Sequence, residues 1–273
     1  MGQPDLRTAA FPGVVLIVAA AVLLSSPLLA QTSAPAPQSA PAKTPAYDVV
    51  SVKPHKDIDG SMWWRSAPDG MSASGIHLEN LIMSAYGLIV SDQIVGLPGW
   101  ADSATFDIQA KMGDDTFAAL QKLPRKERYH QQDLMLQSLL ADRFQLKIHH
   151  ETRQLPVYDL VIAKDGLKMQ PAPAGEHGSW STDNGRFNGK AVPLDSFVFS
   201  LSNEVGRLVV NKTGLTGNYT IALKWTPFDQ QGQADSGPSI FAALEQQLGL
   251  KLVSAKGPVD TIVVDHVEKP SPN

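Results

Sequence analysis

The stretch LLADRFQLKI, residues 139–148, has a counterpart later in the chain, ALEQQLGLKL, residues 243–252. In both stretches, leucines at helical spacing run into a short segment with the alternation of a strand. Leu140 corresponds to Leu244 in this comparison, and both are predicted to lie in a core. The same pattern, a helix end followed by a strand, occurs twice, which indicates that the chain contains one structural unit in two copies.

A second pair of segments supports the repeat. GIHLENLIMSAYG (residues 75–87) and LDSFVFSLSNEVG (residues 194–206) each place apolar side chains on one helical face and end in glycine. They predict two equivalent amphipathic helices, of which the second is longer by three residues.

The segments that follow these helices match as well. A short apolar strand and a glycine-bearing turn lead to FDIQAK (residues 106–111) in one case and YTIALK (residues 219–224) in the other. Both alternate apolar and polar residues, as a half-buried strand requires. PVYDLVIAK (156–164) and PVDTIVVDH (258–266) then predict a last strand in each unit, separated by a turn from the strand before it.

These matches predict an α+β fold of two tandem similar halves, residues 47–170 and 171–273. Each half is expected to read helix–strand–strand–helix–strand–strand, with helices on one face of a small, largely antiparallel sheet. Short turns such as GLTG (214–217) and AKGP (255–258) favour hairpins over parallel crossovers. A duplication would explain the shared order, and convergence on common amphipathic patterns is the alternative.

The N-terminus predicts export. An apolar run follows Arg7, is shorter than a membrane span, and leads to a small residue, Ala30. Residues 1–30 are therefore predicted to be a signal peptide cleaved after Ala30, with an uncleaved anchor as the alternative. Residues 31–46, rich in proline and alanine, predict an extended linker. The mature protein is expected in the periplasm or outside the cell, without a stable membrane span.

Composition excludes several classes of protein. The net charge is −4, so no basic surface is expected to hold nucleic acid. The 273 residues include no cysteine, which excludes disulfides, thiolate nucleophiles and cysteine-ligated metals. No cofactor is expected, because the chain has no recognisable cofactor-binding loop.

Motifs that carry chemistry are also missing. The chain lacks G-x-S-x-G, S-x-x-K and H-E-x-x-H, so no catalytic residue is predicted. KTGLTG (212–217) has the composition of a phosphate loop, but its Lys-Thr precedes the glycines and a strand follows, which favours a turn. Of His149, His150 and Glu151, the first and third share a strand face, and two ligands do not make a site. No metal is predicted.

One segment has the composition of a binding surface. DIDGSMWWRSAPD (residues 57–69) is predicted to be a surface loop, because Gly, Ser and Pro flank Trp63, Trp64 and Arg65. These residue types dominate binding hot spots, so they are the candidate ligand-binding residues. The alternative is that at least one ring plugs the core. The two aspartates that open the segment lack the later glutamate of a calcium-binding hand loop.

Six segments carry a family resemblance: YDVVSVKP, LIMSAYGL, QIVGLPGWADSATFDIQAK, LLADRFQLKIHHETRQLPVYDLVIAK, VVNKTGLTGNYTIALKWTP and LGLKLVSAKGPVDTIVVDHVEKPSPN. They resemble a soil-associated family of exported bacterial proteins of unknown function, over nearly all of residues 47–273. The resemblance implies location and architecture but no catalytic residues, and it implies aspartates where this chain has Asn211 and Thr220. More remotely, each unit resembles the small modules at the N-termini of secretins and TonB-dependent receptors, a likeness of topology.

Three hypotheses about function come from these observations. The leading one is an exported, non-catalytic binding or envelope-interaction module, with envelope proteins or an unknown ligand as its partner. It rests on the missing catalytic motifs, the compact repeated units and the linker. The second is an accessory or sensor domain that adds a strand edge to envelope proteins. The third is an exported hydrolase that uses Asp, Glu and His from loops between the halves, although the sequence favours a protein without enzyme activity.

Overall fold

The computed structural model describes residues 45–56, 60–232 and 237–270. The predicted signal peptide, all but the last two residues of the predicted linker, and the two aspartates considered for calcium lie outside these ranges. Among the described residues, no helix combines the length and the apolar character needed to cross a membrane.

The first half begins with three strands, which are followed by a helix, two strands, two helices and a long strand. Its elements are β1 (Val49–Pro54), β2 (Trp63–Ala67), β3 (Gly70–His77), α1 (Leu78–Tyr86), β4 (Ile94–Val95), β5 (Thr105–Lys111), α2 (Asp114–Gln121), α3 (Arg125–Phe144) and β6 (Lys147–Ile162). Short 3-10 turns at Ser91–Gln93 and Gly99–Asp102 flank β4. The predicted alternating strand at residues 106–111 is confirmed as β5.

The second half repeats this succession with different lengths. Its elements are β7 (Gln170–Pro171), β8 (Ser179–Asp183), β9 (Arg186–Pro193), α4 (Leu194–Val205), β10 (Val209–Asn211), β11 (Asn218–Lys224), a 3-10 turn (Phe228–Gln230), α5 (Ile240–Ala243), a π-helical turn (Leu244–Leu248) and β12 (Leu250–His266). The helix α4 has 12 residues against nine in α1, which confirms the predicted difference. The strand β8 could not be predicted from the sequence, because its residues are all exposed and show no apolar alternation.

Two four-stranded antiparallel sheets have the same strand order. The N-terminal sheet runs β1-β5-β3-β2, and the C-terminal sheet runs β7-β11-β9-β8. The α+β class is therefore confirmed. A duplication requires matching topology of this kind, and the duplication itself stays a prediction.

The halves meet in a third, shared sheet, with the order β10-β6-β12-β4. The long strands β6 and β12 pair antiparallel, and each receives a short parallel strand from the other half. The turn after β10 thus joins strands of two different sheets, so the hairpin predicted there is wrong. Because β6 offers an open edge, β10 satisfies its backbone hydrogen bonds on β6 rather than on β11.

Both long strands are continuous. The turns predicted ahead of Pro156 and Pro258, AKGP among them, are therefore wrong. Gln154 pairs with Pro258 and Lys256 with Pro156, in a middle section that neither β4 nor β10 reaches. Each strand has a free edge in this two-stranded section, where a proline without an N–H group can be accommodated.

Each antiparallel sheet carries helices on one face, and a separate apolar core fills the space between them. Leu140 in the first core and Leu244 in the second are both fully buried, as predicted. Each core also takes a residue from the long strand of the other half, Val264 in the first core and Leu160 in the second. The opposite face of each antiparallel sheet is left partly or fully exposed.

Candidate functional site

A β-bulge on the exposed face of the N-terminal sheet brings several polar groups together. The pairing of β3 with β5 shifts after Ala73, so Ser74 and Gly75 together oppose Asp107. Gly75 has a φ of +63°, and a side chain there would collide with the Ser61 carbonyl oxygen. Glycine at this position therefore permits the bulge, which directs the Ser74 hydroxyl and the Gly75 amide toward Asp107.

Asp107 accepts hydrogen bonds from three groups at one carboxylate oxygen. The Ser74 hydroxyl donates at 2.6 Å, the Gly75 amide at 3.2 Å, and His55 donates from Nδ1 at 2.8 Å. Partial burial of Asp107 opposes its charge, but these hydrogen bonds and the proximity of His55 outweigh it and hold the pKa of Asp107 below its usual value. Asp107 is thus a carboxylate held in place, and 44% of its side chain is exposed.

Ser74, His55 and Asp107 are the residue types of a catalytic triad, but their geometry differs from one. In a triad the histidine accepts the serine proton on the nitrogen that faces away from the carboxylate. Here the Ser74 hydroxyl donates to Asp107 instead, and the His55 Nε2 atom is buried without a hydrogen-bond partner among the described residues. The Ser74 Oγ atom also lies 3.4 Å from His55 Nδ1, but this nitrogen donates to Asp107, so His55 is not oriented to take the Ser74 proton. The cluster therefore positions a carboxylate rather than activating a nucleophile.

The carboxylate lies in a pocket of about 230 Å³ on the exposed face, which we call the N-terminal pocket. The strand register places Trp63, Ser74, Asp107 and Lys53 in one row across the four strands. The polar residues that line the pocket are Ser51, Lys53, Trp63, Ser74, Asp107 and Gln109. The pocket therefore joins an aromatic ring, a carboxylate, an ammonium group and neutral hydrogen-bonding groups.

The tryptophan pair lies in the edge strand β2, so its predicted placement in a loop is wrong. The turn suggested by the flanking residues is confined to positions 68–69, between β2 and β3. Because neighbouring residues of a strand face opposite sides, Trp64 packs against the core while Trp63, 47% exposed, and Arg65 face outward. The Arg65 guanidinium lies 5.8 Å from the centre of the Trp63 ring, in cation–π contact. The sheet thus brings Trp63 and Arg65 to the face that carries Asp107 and separates Trp64 from them.

The C-terminal sheet has a pocket at the corresponding place, the C-terminal pocket, with a different lining. In its bulge, Lys190 and Ala191 oppose Thr220, and Ala191 has a φ of +44°. The pocket measures about 500 Å³, Trp180 of β8 lines it, and none of its lining residues is acidic. Thr220 thus stands at the position that Asp107 holds in the N-terminal sheet.

Four polar residues of the N-terminal site could not be found from the sequence: Lys53, His55, Ser74 and Asp107. They come from separate strands and their flanks, and 52 residues separate His55 from Asp107. The signal that could have pointed to the bulge is the glycine of Ser74-Gly75, inside an otherwise regular strand.

Other residues singled out for metal or phosphate chemistry form no such site. His149 contacts Asp265 at 2.8 Å, and His150 contacts Asp260 at 3.2 Å. Across the part of the chain that the structure describes, no group of three or more His, Asp or Glu side chains could hold a metal ion. The Lys-Thr-Gly run forms a turn closed by hydrogen bonds to the Asn211 side chain.

A larger pocket, about 810 Å³, lies at the other end of the C-terminal sheet. Several of its polar groups are already engaged within the protein. Trp225 donates to Glu204 at 2.8 Å, and the Gln247 amide bonds both backbone groups of Lys224. Its lining includes Gly237, the first described residue after positions 233–236, which lie outside the described ranges. We therefore place the candidate site in the N-terminal pocket.

A family model described as "Protein of unknown function (DUF3738)" matches residues 79–267. The match includes Asp107 and almost all of the second half, whereas β1, β2 and β3 precede it. The search of curated proteins and the search of solved structures found no match. The predicted resemblance to a family of unknown function is confirmed.

Proposed function

Because the chain belongs to the DUF3738 family, whose function is unknown, we propose a function from the geometry of the N-terminal pocket. The protein is an exported module that binds a ligand in this pocket without transforming it. The observation that carries this proposal is the positioned carboxylate of Asp107 on the same exposed face as the Trp63–Arg65 pair. Export rests on the apolar run and the proline-rich segment of the N-terminus.

The chemistry of the pocket supports binding over catalysis. Tryptophan and arginine are the residue types that contribute most to binding energy when a partner covers them. Asp107 is held by three donors, so it is organised to accept hydrogen bonds from a ligand at little reorganisation cost. The Ser74 hydroxyl, which a hydrolase would use as nucleophile, donates to Asp107 at 2.6 Å, and the neighbouring His55 directs its Nδ1 atom to the same carboxylate rather than to Ser74.

The experiment that tests this function identifies what the pocket retains. The full chain is immobilised and exposed to the low-molecular-weight fraction of an envelope extract, and retained compounds are identified by mass spectrometry. We expect compounds held by the wild type and by Thr220→Val, and lost from Asp107→Asn and Trp63→Ala. Compounds retained equally by all four chains, or recovered in a chemically altered form, would contradict the proposal.

A second candidate function, assembly with an envelope protein by strand addition, is favoured by β8. This strand ends the order of the C-terminal sheet and all its residues are exposed, so one row of backbone groups is open to another strand. Such a partner should slow hydrogen exchange in β8. Slowed exchange in β2 and β5 alone would instead favour the N-terminal pocket.

A further inference from the structure

We infer that the ligand of the N-terminal pocket is a saccharide, an inference that rests on the proposed binding function. The argument starts from the mixture of hydrogen-bonding groups on one sheet face. Asp107 is an acceptor, and Lys53, its neighbour on β1, is a donor. Gln109 and Ser51 form the next cross-strand pair, and each can both donate and accept.

A hydroxyl group suits this mixture because it both donates and accepts. It can donate to the Asp107 carboxylate and accept from the Lys53 ammonium, and it can do either with Gln109. Hydrogen bonds to charged groups are also the stronger ones. A ring that carries several hydroxyls therefore satisfies the face without leaving a charged group unpaired.

Trp63 supplies the apolar side of the same site. Its indole is 47% exposed at one end of the row that contains Asp107. A saccharide presents C–H groups on one face of its ring and hydroxyls at its rim, which matches an aromatic surface next to polar side chains. The pocket volume of about 230 Å³ is below the range usual for drug-sized ligands, so it fits a single ring of a longer chain.

Two other ligand classes fit less well. A peptide brings backbone amides that need partners, but β5 pairs with β1 on one side and β3 on the other, so its backbone groups are taken. An inorganic anion would meet the Asp107 carboxylate at the centre of the pocket, where like charges repel. The neutral hydroxyls of a saccharide avoid both problems.

The test is a titration of the full chain, labelled with nitrogen-15, followed by NMR. The probes are glucose, N-acetylglucosamine and their β-1,4 disaccharides, with alanylalanine and inorganic phosphate as the competing classes. The Trp63 indole signal is assigned by its loss in Trp63→Phe. We expect saturable shifts of this signal with a saccharide, and an apparent Kd raised roughly tenfold or more in Asp107→Asn.

Matched variants separate binding from folding. Asp107→Asn keeps an oxygen that can accept hydrogen bonds from Ser74 and Gly75. Lys53→Met and Gln109→Ala change exposed side chains. Thermal melting should therefore confirm that all three variants fold. Thr220→Val makes a change at the corresponding place in the C-terminal sheet and should leave the saccharide titration unchanged.

The outcomes distinguish this inference from the function on which it rests. Shifts caused by alanylalanine or phosphate but by no saccharide, and lost in Asp107→Asn, would overturn the saccharide inference and keep the binding function. No shift of the Trp63 signal with any probe would overturn the saccharide inference, and failure of the retention experiment would separately overturn the function.

Discussion

The two antiparallel sheets share a framework and differ on their exposed faces. Both have the same strand order, and both carry a bulge at the same point of the central pair. Facing the core, Ile108 of β5 corresponds to Ile221 of β11, and both are buried. Facing outward, Asp107 corresponds to Thr220. The comparison indicates that the fold fixes the inward positions and leaves the outward ones available for binding chemistry.

The bulge explains why the difference falls at this position. A bulge places two residues of one strand against a single residue of its partner and locally disrupts the ladder. In the N-terminal sheet that residue is Asp107, and the bulge supplies two of its hydrogen-bond donors, Ser74 and Gly75. In the C-terminal sheet it is Thr220, opposite Lys190 and Ala191. The same distortion thus frames an acidic residue in one half and a threonine beside a lysine in the other.

The largest expected effect tests whether the two cores are equivalent. Leu140→Ala and Leu244→Ala each remove a fully buried side chain, so each should lower the free energy of unfolding by about 2–5 kcal/mol. Chemical denaturation measures both, with the exposed Lys147→Ala as control. Similar losses would support the comparison of the halves, and a loss at only one leucine would break it.

The next effect separates two tryptophans at corresponding positions of the edge strands. Trp64 pairs with Ala73 and Trp180 with Gly189, but Trp64 packs against the first core while Trp180 is 45% exposed. Trp64→Ala should therefore lower the free energy of unfolding by about 1–3 kcal/mol. Trp180→Ala should change it by no more than about 0.5 kcal/mol. The melting temperatures of the two variants and of Trp63→Ala give the comparison. Equal losses for Trp64 and Trp180 would contradict the different packing.

The sequence predicts the framework because burial repeats with a period. The apolar spacing at residues 78–85 and the alternation at 106–111 reflect one buried face each, and the structure confirms both elements. The lengths of the strands and the way they pair are harder to predict from the sequence. The local sequence around Pro156 does not show that β6 continues through this proline. The strand can continue there because, among the described residues, it pairs with β12 alone at this point.

The candidate site, unlike the framework, is hardly predictable from the sequence. Composition points to Trp63 and Arg65 but predicts a loop around them, whereas β2 pairs with β3 along its whole length. His55 and Asp107 meet only because β1 and β5 are neighbours in the sheet, a tertiary fact with no local signal. Sites assembled from side chains on several strands are invisible to spacing rules, whereas cores are not.

A smaller effect, of opposite sign in the two halves, is expected at the bulges. Gly75→Ala puts a side chain at a φ of +63° and against the Ser61 carbonyl, so it should destabilise the protein by about 1–2 kcal/mol. Ala191→Gly removes a side chain from the same left-handed region, so its effect should lie between no change and a gain of about 1 kcal/mol. Denaturation midpoints of the two variants test this. A gain for Gly75→Ala would show that the first bulge is not held as described.

The smallest effect is a dependence on pH that only the N-terminal bulge should show. Hydrogen bonds to the Asp107 carboxylate lower its pKa in the folded state despite partial burial. A carboxyl group of this kind adds stability above its unfolded pKa, roughly 3.9, and loses that contribution as the pH falls through the lower folded value. The stability difference between the wild type and Asp107→Asn should therefore be greatest near pH 7 and shrink toward about pH 2. Because the side chain is 44% exposed, solvent screening keeps the difference small. Thr220→Val has no ionisable group to lose, so its difference from the wild type should stay constant over the same series of denaturation midpoints. A difference for Asp107→Asn that grew toward acid pH would mean that the carboxylate is not stabilised by its three donors.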